Sequence, residues 1–332
     1  MEQAPYYADI TDGPEDGAAW WVSARDGVRL RIGSWARQAP RGTILLLPGR
    51  TEFVEKYGLA AADFAARGYC TCAIDWRGQG LADRLADDEM AGHVHDFTDY
   101  QHDLRAMLAA ASDLALPRPW FLLGHSMGGS IGLRAVMADL PVRACAFTGP
   151  MWGIEIAGPL RPVAWTVSWG GRQLGIDHFY APGTDAGSYV LSEPFETNNL
   201  TSDRAMHAHM VDQLRRHPEL ALGGPSLRWL HEALREARDL HRLPAPGVPC
   251  VTIVGEEEKI VDVRRIRERM AGWPGGHLEV IEGARHEVMM EGPAARAWVF
   301  KLICDLFDSA PPRPQEDVTD PGRPAGADAP NP

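Results

Sequence analysis

The chain lacks most of what would make it a nucleic-acid binder, a membrane-spanning protein or a disulfide-built one. Over 332 residues, acidic side chains outnumber basic ones and the formal charge is −12. Phosphate backbones need a basic face, so nucleic acid is not expected as a partner, nor is purely electrostatic docking on anionic lipid. No apolar run approaches the ~20 residues that a membrane span needs. The start, MEQAPYYADI, has neither a basic n-region nor an apolar h-region, so no secretory signal is expected. Cysteine is scarce: there are five, an odd number, and no CxxC. Cys70, Cys72, Cys145 and Cys250 lie in runs that read as buried strands, which points to reduced core thiols in a cytoplasmic protein. The pairs His93-x-His95 and His207-x-His209 lack a cysteine or carboxylate set at ligand spacing, so no metal is expected. DWRGQGLAD lacks the third glycine of a dinucleotide fingerprint, with Asp83 in its place, and no nucleotide cofactor is expected. Asp75 and Arg77 in this stretch read instead as braces for a loop.

What is present is an alternation of short apolar runs with helical spacing. TILLLP (43–48), CTCAID (70–75), WFLLG (120–124), VRACAFTG (142–149), VPCVTIVG (248–255) and HLEVIEG (277–283) read as strands. Asp26-Gly27 marks a hairpin leading into the alternating strand RLRIGSW. Helices are expected between the later strands, at about 56–67, 97–115, 130–139, 263–271 and 294–307. Such alternation implies an α/β fold with a mostly parallel sheet flanked by helices. It breaks between 151 and 245, where helices near 203–216 and 225–238 stand without a buried strand. The expected organisation is a core of 25–150 and 246–308, preceded by an N-terminal segment 1–24. A helical lid, 151–245, is inserted after the sixth core strand. The tail, 309–332, is rich in proline, glycine and charge, and is expected to be disordered.

The strongest local signal is WFLLGHSMGGSIGLRAV. A buried strand runs into Gly124-His125-Ser126-Met127-Gly128, and a helix follows. This is the strand–turn–helix setting of a G-x-S-x-G nucleophile elbow. The turn lifts Ser126 Oγ above the strand ends and aims a helix N-terminus at the same spot, where N–H groups would hold an oxyanion. The base is expected later in the chain, past a strand end, and His286 in GARHE alone meets that condition. A second oxyanion donor is expected from the loop LLLPGRTEFVEKYG. Arg50 N–H is the candidate there, paired with Met127 N–H.

PGRTEF, DWRGQGLADRL, GHVHDFTDYQHDL, GHSMGG, GPMWGI, GGPSLRW, EEEKIVD and ARHE together resemble serine hydrolases of the monoglyceride lipase and bacterial lysophospholipase type, a group also labelled serine aminopeptidase S33. The resemblance spans about residues 25 to 307. It implies an α/β-hydrolase fold, no cofactor, and hydrolysis of the acyl ester of a lysolipid or similar small molecule. Carboxylesterase, thioesterase or aminopeptidase chemistry is the alternative within the fold, and a non-catalytic binding protein is the alternative outside it. Relatives often carry His-Gly where Pro48-Gly49 stands, and His in place of Gln79.

The resemblance also places the acid that orients His286 three residues after Gly255, at Glu258 in VGEEEKIVDV. Asp262 is the rival, although as an N-cap it has a sufficient role of its own. Glu256 and Glu257 read as solvated charges. Arg50, helped by Lys56, would favour a substrate phosphate; the plainer expectation is an ion pair with Glu52 or Glu55. Met151, Trp152, Trp165, Trp169, Phe179, Met206 and Trp229 read as core of the insert. They equally suit an acyl tunnel or a peripheral membrane contact through the lid.

Overall fold

In a computed structural model that describes residues 1–312, the apolar runs form the middle of a nine-stranded sheet. In chain order the elements are β1 (Glu2–Ala4), β2 (Ala18–Ser23), β3 (Arg29–Trp35), β4 (Thr43–Leu47), α1 (Gly58–Ala66), β5 (Cys70–Asp75), α2 (Tyr100–Asp113), β6 (Trp120–His125), α3 (Met127–Met137) and β7 (Cys145–Thr148). There follow α4 (Arg161–Gln173), α5 (Tyr189–Ser192), α6 (Arg204–Arg216), α7 (Leu227–His241), β8 (Cys250–Gly255), α8 (Val263–Ala271), β9 (His277–Ile281) and α9 (Pro293–Ser309). The strand order is β1-β2-β3-β5-β4-β6-β7-β8-β9, antiparallel from β1 to β5 and parallel from there on. This is the α/β-hydrolase architecture.

Strands β4 to β8 are buried at every position, which is why their sequences are mostly apolar rather than alternating. Successive side chains still point to opposite faces. Leu45 and Leu47 pack with Leu104 and Met107 of α2, Ile131 of α3 and Ile266 of α8. Ile44 and Leu46 pack with Phe64 of α1 and Phe300 and Phe307 of α9 on the other face. The sheet is therefore the middle of three layers, and all parallel strands end on one side, where the loops gather.

The first 24 residues supply β1 and β2. They are tied inward by a fully buried ion triad: Arg31 Nε lies 2.7 Å from Asp75, its Nη atoms lie 2.7 and 2.8 Å from Glu55, and Nη1 also donates to Pro5 O. Asp75 goes on to accept the Val54 and Leu81 N–H groups at 2.8 Å each. Arg77 is clamped between Asp103 (2.6 Å) and Asp26 (2.7 Å). Both residues thus brace loops at the strand ends. At the other end of the chain α9 runs through Ser309 and Ala310 is buried. The tail expected to be disordered lies, from 313 on, outside the described residues.

Neighbours β7 and β8 are separated in sequence by the insert that holds α4 to α7. Helices α6 and α7 match the predicted ranges; α4 is additional. Its apolar residues Val163, Val167 and Trp169 face outward while Ser168 and Gly171 are buried, so it carries no buried apolar stripe for sequence reading to detect.

The insert is pinned to the core at the start of α7. Ser226 caps that helix by accepting the Trp229 N–H, and its backbone N–H donates to Gly92 O. His93 Nδ1 lies 2.9 Å from Ser226 Oγ. Burial, reinforced by neighbouring His95, pushes His93 down to about 4; Asp177 opposes this, and Arg228 and His178 add to it. The folded imidazole therefore resists a proton that the unfolded chain accepts near pH 6.5. Its contribution is intact above that pH and falls away between 6.5 and 4, a loss of at most roughly 3 kcal/mol. Urea midpoints at pH 7 and pH 4.5 check this. The drop is expected to be smaller in His93→Gln than in the parent chain, and an equal drop in both would remove His93 as its cause.

Candidate active site

Ser126 sits between β6 and α3 with φ 49° and ψ −116°, a left-handed conformation that a side chain adopts only under constraint. The constraint comes from its glycines. A Cβ on Gly124 would lie 2.8 Å from Gly128 O, and one on Gly128 would strike the Leu47 carbonyl. A Cβ on Gly129 would lie 2.6 Å from Pro150 Cβ. Helix α3 therefore packs against β4 and β6 as no other residue type would allow, and its first turn points at Ser126.

His286 is brought to the strand ends through strand pairing. Gly255 of β8 stands in parallel register with Ile281 of β9, so the loops after both strands leave side by side. Glu256 N–H donates to Ile281 O and Glu257 N–H to Ala284 O, each at 2.9 Å. This stitching brings Glu258 Oε2 within 2.6 Å of His286 Nδ1. The other Glu258 oxygen accepts the Ile260 and Val261 N–H groups, at 2.7 and 3.2 Å. Burial works to raise the Glu258 carboxyl, but His286 and these two N–H groups outweigh it and hold it below its ordinary value. An ionised Glu258 accepts from Nδ1–H, which leaves His286 Nε2 as the proton acceptor.

Asp262 takes no part in this contact. It caps α8 by accepting Arg265 N–H at 3.3 Å, and it pairs with Arg161. Glu256 and Glu257 are exposed; the first accepts Gly283 N–H and the second lies 3.8 Å from Arg285. The insert contributes to the histidine loop: Leu200 O accepts Glu287 N–H at 2.7 Å, and Asn198 O accepts Arg285 Nη1 at 2.8 Å.

Ser126 and His286 line one cavity of about 580 Å³, together with Arg50, Tyr189, Val190, Leu200 and Leu214. Gly49 approaches so closely that a Cβ there would sit 3.1 Å from Ser126 Cβ. Gln79 holds this loop by donating from Nε2 to both Gly49 O (2.8 Å) and Glu52 O (2.9 Å). Among the described residues neither Arg50 N–H nor Met127 N–H is seen to donate to a loop carbonyl.

Sequence reading missed a buried charge cluster behind the serine. Lys56 Nζ bridges Glu52 and Glu287, the latter at 2.6 Å. Tyr57 Oη and Gly49 N–H both donate to Glu52. His125 Nδ1 lies 3.0 Å from Thr148 O, which can only accept, so Nδ1 carries a proton. Its Nε2 faces Glu287 at 3.3 Å and Glu52 at 3.5 Å. Burial lowers the His125 pKa, but Glu287 and Glu52 outweigh it and raise it. The His125 ring and the Lys56 ammonium thus both face the carboxylates of Glu52 and Glu287. Glu52, His125 and Glu287 would suit a cation by spacing alone, but Lys56 already supplies positive charge between the carboxylates. The missed residues had a signal: His125 and Glu287 adjoin Ser126 and His286, and Glu52, Lys56 and Glu287 of the cluster line the same cavity.

A family model described as serine aminopeptidase, S33, matches residues 38–293, spanning the elbow, the loop that carries Arg50 and both the Glu258 and His286 loops. The chain belongs to this serine hydrolase family. Within it, the chain is 32% identical over 298 residues to lysophospholipase L2 of Escherichia coli K12, covering 85% of each protein. It is 27% identical over 273 residues to a monoacylglycerol lipase of Mycolicibacterium smegmatis, covering 80% of this chain and 88% of that one. In fold it is similar to a monoglyceride lipase of Saccharomyces cerevisiae, with a TM-score of 0.69 and 21% identity over 92% of this chain and 98% of that one. The S33 match includes the insert between β7 and β8, so that segment belongs to the family region.

Proposed function

We propose that this S33 family member is a serine ester hydrolase acting on lysolipid or monoacylglycerol substrates. The reading rests above all on the Glu258–His286 contact at the wall of the cavity that also holds Ser126. In this mechanism Ser126 Oγ attacks the ester carbonyl carbon as its proton passes to His286 Nε2. Arg50 and Met127 N–H groups donate to the tetrahedral oxyanion. Collapse breaks the bond to the alcohol oxygen, which leaves with the proton from His286. Water then attacks the acyl-enzyme by the same route and releases the fatty acid. Glu258 keeps His286 in the tautomer that both halves need, and no cofactor takes part.

The insert is proposed to act as a lid that rests on a lipid surface. Leu160, Val163, Trp169, Leu174 and Phe179 are large apolar side chains exposed on it. No described helix is long and apolar enough to cross a membrane, so contact would be peripheral. Five buried cysteines, all free, fit a reducing compartment such as the cytoplasm.

A substrate panel tests the reading: p-nitrophenyl esters of graded length, a monoacylglycerol, a lysophospholipid and an aminoacyl anilide. Turnover of the acyl esters, highest for the two lipids, is expected, with little on the anilide. Preference for the anilide would overturn it in favour of a peptidase. In the same panel, replacing both Trp169 and Leu174 by Ser should slow hydrolysis of lipid in vesicles and spare p-nitrophenyl butyrate. Equal vesicle rates would dispose of the docking contact.

A further inference from the structure

Arg50 is the unexplained charge of the cavity. The expected ion pairs with Glu52 or Glu55 do not form, because those carboxylates are taken by Lys56 and by Arg31. Nor is Lys56 a second free cation, since it is locked between Glu52 and Glu287. The Arg50 guanidinium instead crosses the cavity toward the insert. Its Nη1 donates to Gly223 O at 2.8 Å, and its Cζ lies 5.6 Å from the centre of the Trp229 ring. Gly92 leaves room for it, since a Cβ there would sit 3.0 Å from Nη1. Its Nε and Nη2 have no acceptor among the described residues, and no carboxylate lies close enough to compensate its charge. Burial pushes the group down to about 10, which still leaves it charged at neutral pH. A half-buried cation with open donors and no counter-ion in reach is left short of partners unless an anion arrives from outside.

We infer that Arg50 is a phosphate-recognition residue, pairing through its open guanidinium edge with the phosphate on the alcohol side of the substrate. This rests on the ester-hydrolase reading and deepens it. The same residue presents its backbone N–H to the acyl oxygen and its side chain to the leaving group, two points separated in a lysophospholipid by the glycerol unit. A planar fork of donors suits phosphate oxygens, and Trp229 keeps the fork from swinging away. The insert takes part as well, because Gly223 holds the guanidinium in place.

The test compares Arg50→Gln with the parent chain on two substrates of the same acyl chain, a lysophosphatidylethanolamine and a monoacylglycerol. Any uniform loss through the oxyanion loop cancels in the ratio of the two kcat/KM values. That ratio is expected to fall by roughly 10- to 100-fold, mostly through KM on the phosphate-bearing substrate. An unchanged ratio would overturn the assignment. A second arm does not depend on the natural substrate: inhibition of p-nitrophenyl butyrate hydrolysis by glycerol 3-phosphate and by glycerol. Glycerol 3-phosphate should inhibit the parent chain more strongly than glycerol does, and the difference should vanish in Arg50→Gln. Equal inhibition by the two in the parent chain would count against a phosphate site even if neither lipid is turned over. Turnover of neither lipid with selective inhibition intact would sink the lipid reading and leave the phosphate site standing.

Discussion

Ser126→Ala is expected to lower kcat/KM on every ester substrate by a factor on the order of 10⁶, with an unchanged melting temperature. The size follows from the role: without Oγ there is no acyl-enzyme, and the histidine and its carboxylate have nothing to activate. In serine proteases, loss of the nucleophile alone removes about as much rate as loss of the whole triad. Stability should hold because the strain at position 126 belongs to the backbone. Alanine keeps a Cβ and must adopt the same φ of 49°, against the same glycines. Covalent labelling by a fluorophosphonate probe reads the same event directly and should disappear in the variant. Labelling that persists in Ser126→Ala would move the nucleophile elsewhere.

The second large effect separates two carboxylates only four positions apart. Glu258→Gln should cost on the order of 10⁴ in kcat, because an amide that donates to Nδ1 holds His286 in the wrong tautomer. Asp262→Ala should leave the rate nearly unchanged. Its Arg161 pair and its N-cap bond to Arg265 are matters of stability, worth about 1 kcal/mol. Rates and urea midpoints measured together on the two variants give a crossed result, with activity lost in one and modest stability lost in the other. A fully active Glu258→Gln would return the orienting role to another group.

Much of this site was legible because its parts obey local rules. The elbow needs glycines within a few residues of the serine, and GHSMGG carries them on the page. Strand ends announce themselves as apolar runs stopped by glycine, so Gly255 and Gly283 marked the two loops that matter. The family resemblance then pointed to Glu258 among four acids. What stayed hidden was pairing across the fold. Arg50 was expected beside Glu52 or Glu55, its neighbours in sequence. In the structure Glu55 is claimed by Arg31, on a strand 24 residues earlier, and Glu52 by Lys56. Gln79, set aside as a departure from the relatives, holds the loop that presents Arg50. His125 and Glu287 carry no role in the motifs that contain them, yet they meet across 162 positions.

The sequence by itself determined the class of fold and singled out the candidate serine, the candidate histidine and the loops that carry them. Those follow from periodicity, from the φ that only a constrained turn permits, and from the chain order of strand ends. Tertiary structure alone decided that Glu258 and not its rival Asp262 meets His286, and which cations near the cavity already have carboxylate partners. Charge pairing depends on distance in three dimensions and on burial. Both are set by the register of β8 on β9 and by the packing of the insert over the strand ends, and neither leaves a mark in the order of the residues.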